Sequence, residues 1–266
     1  MLYFTILILI LILITIYNKV NNEKYLEISN KKINKNLKLI HIGKCGGSTI
    51  NKLVKNKVIQ YHLIRNYKDN ENYIIWLRNP IKRFVSAFYY QYDLINTNTR
   101  NLEIKKLTLK NSLGPNIIKK KIIQGFTFTK RFDYLMNYFK TPNNLAESIT
   151  SKNTKIKKLA LELMNSRIEH IYKGIGWYLY NGDFIDKKYN NIKFVGTLEN
   201  MEDDLKRLGK FLNIKINNKL IIRENKNKHN KLLSPKAIKN ILNFYKHTDY
   251  KALQKLVEYN YITKEL

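Results

Sequence analysis

The sequence predicts an α/β fold: a parallel β-sheet flanked by helices, behind an N-terminal transmembrane helix. Three observations predict it. First, the apolar run Leu39–Ile42 enters a glycine loop of Gly43, Lys44, Cys45, Gly46, Gly47 and Ser48, and Thr49 opens a segment with Ile50, Leu53 and Val54 at helical spacing. Second, the run Tyr73–Leu77 ends at Arg78-Asn79-Pro80, and Ile81–Tyr92 follows with Phe84, Val85 and Phe88 on one helical face. Strands alternating with helices make a parallel sheet covered on both faces. Third, Leu2–Tyr17 carries no charged residue.

In chain order, residues 1–17 read as a membrane anchor. A helix of this length is about 24 Å long, close to the ~30 Å of a hydrocarbon core, and no small-residue cleavage site follows it. Residues 18–36 are Lys/Asn-rich and read as a stem. Residues 37–266 read as the folded domain. After the first strand, loop and helix, Lys57–Leu63 is a second apolar run with His62 near its end. The strand Tyr73–Leu77 has Pro80 at the start of the next helix, where a missing N–H costs nothing. Phe126–Phe139 and Leu145–Met164 have helical spacing, and Ile171–Phe184 is rich in aromatic residues. A further strand, Ile192–Val195, leads through Gly196-Thr197 and Glu199 to an amphipathic helix ending near Leu212. A basic loop, Arg223–Lys231, precedes a last helical region that begins at Ser234-Pro235.

The chain has 266 residues, a net charge of +29 and a hydrophobic fraction of 44%, enough for a real core. The lysines are scattered along the chain rather than gathered in a tract, so the charge reads first as a compositional bias toward Lys, Asn and Ile; it is compatible with a polyanionic partner, and nucleic acid is not expected. The one cysteine, Cys45, excludes an intrachain disulfide framework and a zinc site of several thiolates. No metal site is expected.

The loop chemistry is that of anion binding. Glycines let backbone N–H groups approach phosphate oxygens, and a helix N-terminus adds its positive dipole end. The nucleoside-triphosphate pattern needs Gly, four residues, then Gly-Lys-Ser/Thr. Here Lys44 precedes the glycine pair, and no magnesium-binding Asp ends a later strand. A small-molecule kinase is therefore disfavoured. A non-catalytic membrane-tethered polyanion binder is a further alternative. Ligands of such sheets bind at the carboxyl ends of strands, where His41, Lys44, His62 and Arg78 fall.

His41–Thr49, HIGKCGGST, resembles the 5′-phosphosulfate loop of sulfotransferases that use 3′-phosphoadenylyl sulfate (PAPS). It is most similar to the membrane-anchored carbohydrate (polysaccharide O-) branch, where the loop commonly reads His-Ile-Pro-Lys-x-Gly-Gly-Thr-Ser. Leu77–Tyr90, LRNPIKRFVSAFYY, resembles that family's 3′-phosphate motif, with Arg78 ending a strand and Ser86 eight positions later. Phe194–Leu205 resembles a late segment of the family. The resemblance covers Leu37 to Tyr250, thinly in the middle. It departs from the family at Gly43, where Pro is frequent, and at Cys45, and at neither position is a side chain expected to be needed.

The resemblance implies a hydroxyl acceptor on a carbohydrate, in keeping with the basic charge an anionic glycan, and PAPS as co-substrate. It implies that Lys44, Cys45, Gly46, Gly47, Ser48 and Thr49 hold the 5′-phosphate, and that Arg78 and Ser86 hold the 3′-phosphate. Lys44 would also offset charge on the leaving oxygen. His62, lying between the two motifs, would be the general base, with His170 as runner-up. Lys226, Lys228 and His229 correspond to a late loop over the nucleotide. His41 is expected to be structural, and Arg83 to hold the fold together. The resemblance implies a single-pass, Golgi-type protein with a lumenal domain, although the lysines after the span would favour a cytoplasmic side.

Overall fold

A computed structural model describes residues 37–54, 57–63, 65–96, 130–167, 169–214, 216 and 229–263. The expected anchor, the stem, Lys226 and Lys228 lie outside the described residues. Among the described residues no helix is long and apolar enough to cross a membrane.

Four strands lie parallel in the order β2-β1-β3-β4. They are β1 (Leu37–Ile40), β2 (Ile59–Tyr61), β3 (Asn72–Leu77) and β4 (Ile192–Thr197). β1 is buried along its whole length, and so is β3 after Asn72, as expected of strands covered on both faces. The expected run Lys57–Leu63 supplies only the short edge strand β2.

Alternate side chains of the strands serve opposite layers. Leu39, Ile74, Trp76 and Phe194 pack on Ile50 and Val54 of α1 (Gly47–Val54) and on Leu205 and Leu208 of α6 (Met201–Leu212). Ile40, Ile75, Leu77 and Val195 pack on the other face against Tyr178, Phe184 and α8 (Lys251–Glu258). A third cluster gathers Phe84 and Phe88 of α2 (Pro80–Asn96) with α3 (130–139), α4 (Pro142–Ser148), α5 (Thr154–Met164) and α7 (Pro235–Tyr245).

The single helix expected over Leu145–Met164 is two. Asn153 accepts the N–H groups of Lys155 and Ile156 and starts α5, while Thr141 caps α4. Such caps satisfy donors that a continuing helix would bond internally. The last helical region starts as expected, with Ser234 as cap and Pro235 in the first turn. It is interrupted by a π-helical turn, Lys246–Tyr250, which brings Asp249 into the interior at 1% exposure.

The chain passes from β1 to β2 on one side and returns to β3 on the other. The connections leaving β1 and β3 therefore diverge, opening a crevice beyond their carboxyl ends.

Candidate functional site

The β1–α1 loop occupies that crevice. Lys44 and Gly46 take left-handed backbone conformations, φ 68° and 83°, while Cys45 between them does not. This alternation turns successive N–H groups toward one concave side. The first helical bond of α1 is made by Ile50 N to the Gly46 carbonyl at 3.2 Å. The N–H groups of Gly47, Ser48 and Thr49 precede it and, as first-turn donors, have no partner within the helix. Ser48 is exposed and Thr49 half-buried. Cys45 differs from its loop neighbours: its thiol is fully buried, burial pushes its pKa up to about 12, and its N–H is bonded to the Ile42 carbonyl at 3.3 Å. It shapes the loop from the core side.

Arg78 leaves the end of β3 and joins this loop. Its Nη1 donates to the Lys44 carbonyl at 3.2 Å, while its Nε is buried and unpartnered among the described residues. Burial lowers its pKa. Glu199, after β4, accepts the Asn79 N–H at 3.2 Å and fixes the turn into α2.

One stripe of α2 faces the loop. Arg83 is fully buried and donates through Nη1 to the carbonyls of His170 (2.9 Å) and Gly43 (3.4 Å), with Asp249 3.5 Å from its Nε. Two turns later Tyr90 lies under Lys44, whose Nζ is 4.0 Å from the ring centre. Ser86 falls between them on the same stripe, half-buried. No hydrogen bond joins it to Arg78 among the described residues. His229 is anchored to the far end of the stripe. It stacks on Tyr89 at 4.2 Å, its Nε2 is 2.6 Å from Asp93 Oδ1, and Tyr89 Oη bonds the neighbouring Asn230 carbonyl.

Burial, and then the Arg78 charge, pull the Lys44 ammonium down to about 8. The hydrogen bond from His41 N to the Tyr61 carbonyl extends the β1–β2 pairing by one step and sets His41 beside His62, their ring centres 4.4 Å apart. His62 Nδ1 lies 3.1 Å from the His41 carbonyl. That nitrogen must therefore carry the proton, which leaves Nε2 with the free lone pair. His41 is buried, and its Nδ1 faces the Gln60 amide. Burial, with His62 and Lys44 as nearby charges, lowers it to about 4.

His170 arrives from the one-turn helix Glu169–Tyr172, its ring 5.8 Å from that of His62. It is 7% exposed, and burial, reinforced by Lys44, lowers it to about 2. A Cβ on Gly43 would collide with its ring at Nδ1, and one on Gly47 would collide with the His41 ring. The missing side chain at Gly43 is thus itself required, because it admits His170.

Lys44, Arg78, His62 and the α1 N-terminus are brought to one crevice, with Ser86 on the wall above it. The sequence spacing did not reveal Tyr90 or the seating of His170. Tyr90 sits in an aromatic run that reads as core, and His170 reaches the loop only through long-range packing. A depression of about 480 Å³ on α6, lined by Leu205, Gly209 and Ile216 among others, shares no residue with this crevice. No protein-family model, no curated protein and no solved structure matches the chain.

Proposed function

We propose that this chain is a sulfotransferase. It moves the sulfuryl group of 3′-phosphoadenylyl sulfate to a hydroxyl of a carbohydrate acceptor, from a domain held at a membrane by Leu2–Tyr17. We place it in a Golgi-type, single-pass arrangement. The observation that carries the reading is the hydrogen bond from Arg78 Nη1 to the Lys44 carbonyl. It joins the two motifs that resemble the 5′- and 3′-phosphate sites at the carboxyl edge of β1 and β3.

The chemistry follows from the groups present. Sulfuryl transfer, like phosphoryl transfer, is an in-line displacement in which positioning and charge stabilisation dominate. The N–H groups of Gly47, Ser48 and Thr49 hold the 5′-phosphate, and Gly46 lets it approach. Arg78 presents its fork to the 3′-phosphate, with Ser86 as a hydroxyl partner. Lys44 Nζ stands over the Tyr90 ring and offsets the charge that grows on the bridging oxygen as the S–O bond breaks. His62 Nε2 takes the acceptor proton as the hydroxyl oxygen bonds to sulfur. His170, held neutral and almost closed to solvent, is the poorer base. His229 flanks the Ser86 stripe and closes it from the late loop.

Calorimetry on the full chain in detergent micelles tests the reading, with 3′-phosphoadenosine 5′-phosphate titrated beside ADP and ATP with magnesium. The 3′-phosphorylated nucleotide should bind selectively. Arg78→Ala should weaken it about ten- to a hundredfold, the loss of a charge-assisted contact. No preference for the 3′-phosphate would sink the proposal. Tight magnesium-ATP binding would move the assignment to a kinase, and salt-sensitive glycan binding without nucleotide binding would move it to the polyanion binder.

A further inference from the structure

One polar group at the end of β1 has no task in the chemistry given above. His41 is 8% exposed, and the Gln60 amide nitrogen faces its Nδ1. An amide nitrogen can only donate, so Nδ1 accepts, and the single proton of the neutral imidazole stands on Nε2. Among the described residues that Nε2–H has no hydrogen-bond partner. A donor in so buried a side chain is costly to leave unpaired, and native structures seldom do so.

The same ring edge faces the start of α1. A Cβ on Gly47 would run into His41 Cδ2 and Nε2, so the glycine is what lets the imidazole come this close. Such a Cβ stands about 2.5 Å from its own nitrogen, which puts His41 Nε2 within about 5 Å of Gly47 N. One oxygen at the usual ~2.9 Å can then accept from both, and so can two oxygens of one phosphate. The Gly47 N–H is itself one of the first-turn donors without a helical partner. Burial, with His62 and Lys44 as nearby charges, holds the His41 ring neutral, lowered to about 4. It therefore keeps one N–H throughout the neutral range. His62, its ring centre 4.4 Å away, bonds through Nδ1 to the His41 carbonyl and has its lone pair on Nε2. Two adjacent imidazoles thus hold opposite tautomers, one a donor for an oxyanion and the other an acceptor for a proton.

We propose that His41 is a further contact of the anion site: its neutral imidazole donates through Nε2 to an oxygen of the phosphosulfate group seated at the α1 N-terminus. The inference rests on the reading of this loop as a 5′-phosphate site and deepens it. It gives His41 a task beyond packing. No proton is transferred; the Nε2–H stays on the ring and stabilises charge beside Lys44, while proton removal is left to His62. A hydrogen bond to an ionised oxygen is among the strong ones.

Selective nitrogen-15 labelling of the histidines in the full chain, in detergent micelles, reads this directly. Two-bond proton–nitrogen correlations distinguish Nε2–H from Nδ1–H, and the signals lost in His41→Gln are those of His41. At neutral pH His41 should show the Nε2–H tautomer, and its Nε2 signals should move when 3′-phosphoadenosine 5′-phosphate saturates the site. In calorimetric titrations His41→Phe, which keeps a ring but no donor, should bind that nucleotide at least tenfold more weakly. His41→Gln, whose amide N–H reaches nearly the same point, should stay within about threefold of wild type, a rescue that a packing role alone does not give. An Nδ1–H tautomer, His41 signals unmoved at saturation, unchanged affinity in His41→Phe, or a glutamine variant as weak as the phenylalanine one would each overturn the inference and leave the sulfotransferase reading standing. If His41→Phe does not fold, the wild-type signals and His41→Gln decide. If the nucleotide does not bind at all, the sulfotransferase reading fails by itself. Inorganic pyrophosphate, followed on the same signals, then judges the donor: movement of the His41 Nε2 signals supports it, and their constancy overturns it.

Discussion

Mild acid should destabilise this protein through two histidines. His41 and His170 are 8% and 7% exposed. In the folded chain they are lowered from 6.5 to about 4 and about 2, burial being the main cause in each. Between pH 6.5 and 4 the unfolded chain therefore binds more protons than the folded one. Their stabilisation is complete above about pH 6.5 and is lost as pH falls toward the folded values. At pH 5 each group costs about 2 kcal/mol relative to pH 7, together about 4 kcal/mol. Against a total stability of about 5–15 kcal/mol this is large. Carboxylates held low by their partners, such as Glu71, act only below their ordinary value of 4.5, so the window from pH 6.5 to 5 isolates the histidines. Urea unfolding followed by tryptophan fluorescence at pH 7 and pH 5, at fixed ionic strength, measures the loss. His170→Asn should remove about half of it. An acid loss in His170→Asn equal to that of wild type would refute the reasoning.

Three further outcomes are expected. Gly43→Ala drives a methyl into the His170 ring; overpacking should cost about 1–3 kcal/mol in urea titrations, and nucleotide affinity should fall with it. Lys44, lowered to about 8, is protonated below that pH, so affinity for 3′-phosphoadenosine 5′-phosphate should fall about fivefold from pH 8 to pH 9. Lys44→Arg, which stays charged, should flatten that profile in calorimetric titrations. Arg83→Leu leaves Asp249 buried and uncompensated, for a loss of about 3–5 kcal/mol in denaturant midpoints. Adding Asp249→Leu should recover part of that loss.

Much of the frame was legible in the residues. β1, its loop, β3, Arg78 and the start of α2 announce themselves through apolar runs cut off by Gly43 and by Asn79-Pro80, which are local signals. Arg83 and His41 fall where they were expected, inside the structure. The break between α4 and α5 was missed because the apolar spacing runs on past Asn153, whose side chain starts a new helix. The sequence marks Gly43 only as a position where no side chain is needed, not as one where none fits. Its importance depends on His170, which is distant in sequence and carries no local mark. Tyr90 was hidden for a related reason, since an aromatic residue among Phe88, Tyr89 and Tyr92 looks like packing until Lys44 is seen above it. The order β2-β1-β3-β4, which creates the crevice, is likewise a property of long-range packing.

The buried guanidinium of Arg83 has a consequence for the timing of folding. It binds the carbonyls of Gly43 and His170, and its counter-ion, Asp249, comes from the π-helical turn late in the chain. The loop is among the first parts of this domain to be synthesised, yet its supporting charge is neutralised by one of the last. Contacts of such sequence separation form late and slowly. During synthesis the nascent domain can form its early strands, but the final shape of the β1–α1 loop must await the arrival of the C-terminal helices. The crevice therefore matures at the end of folding, and a chain interrupted before Asp249 would present an open and unsupported loop.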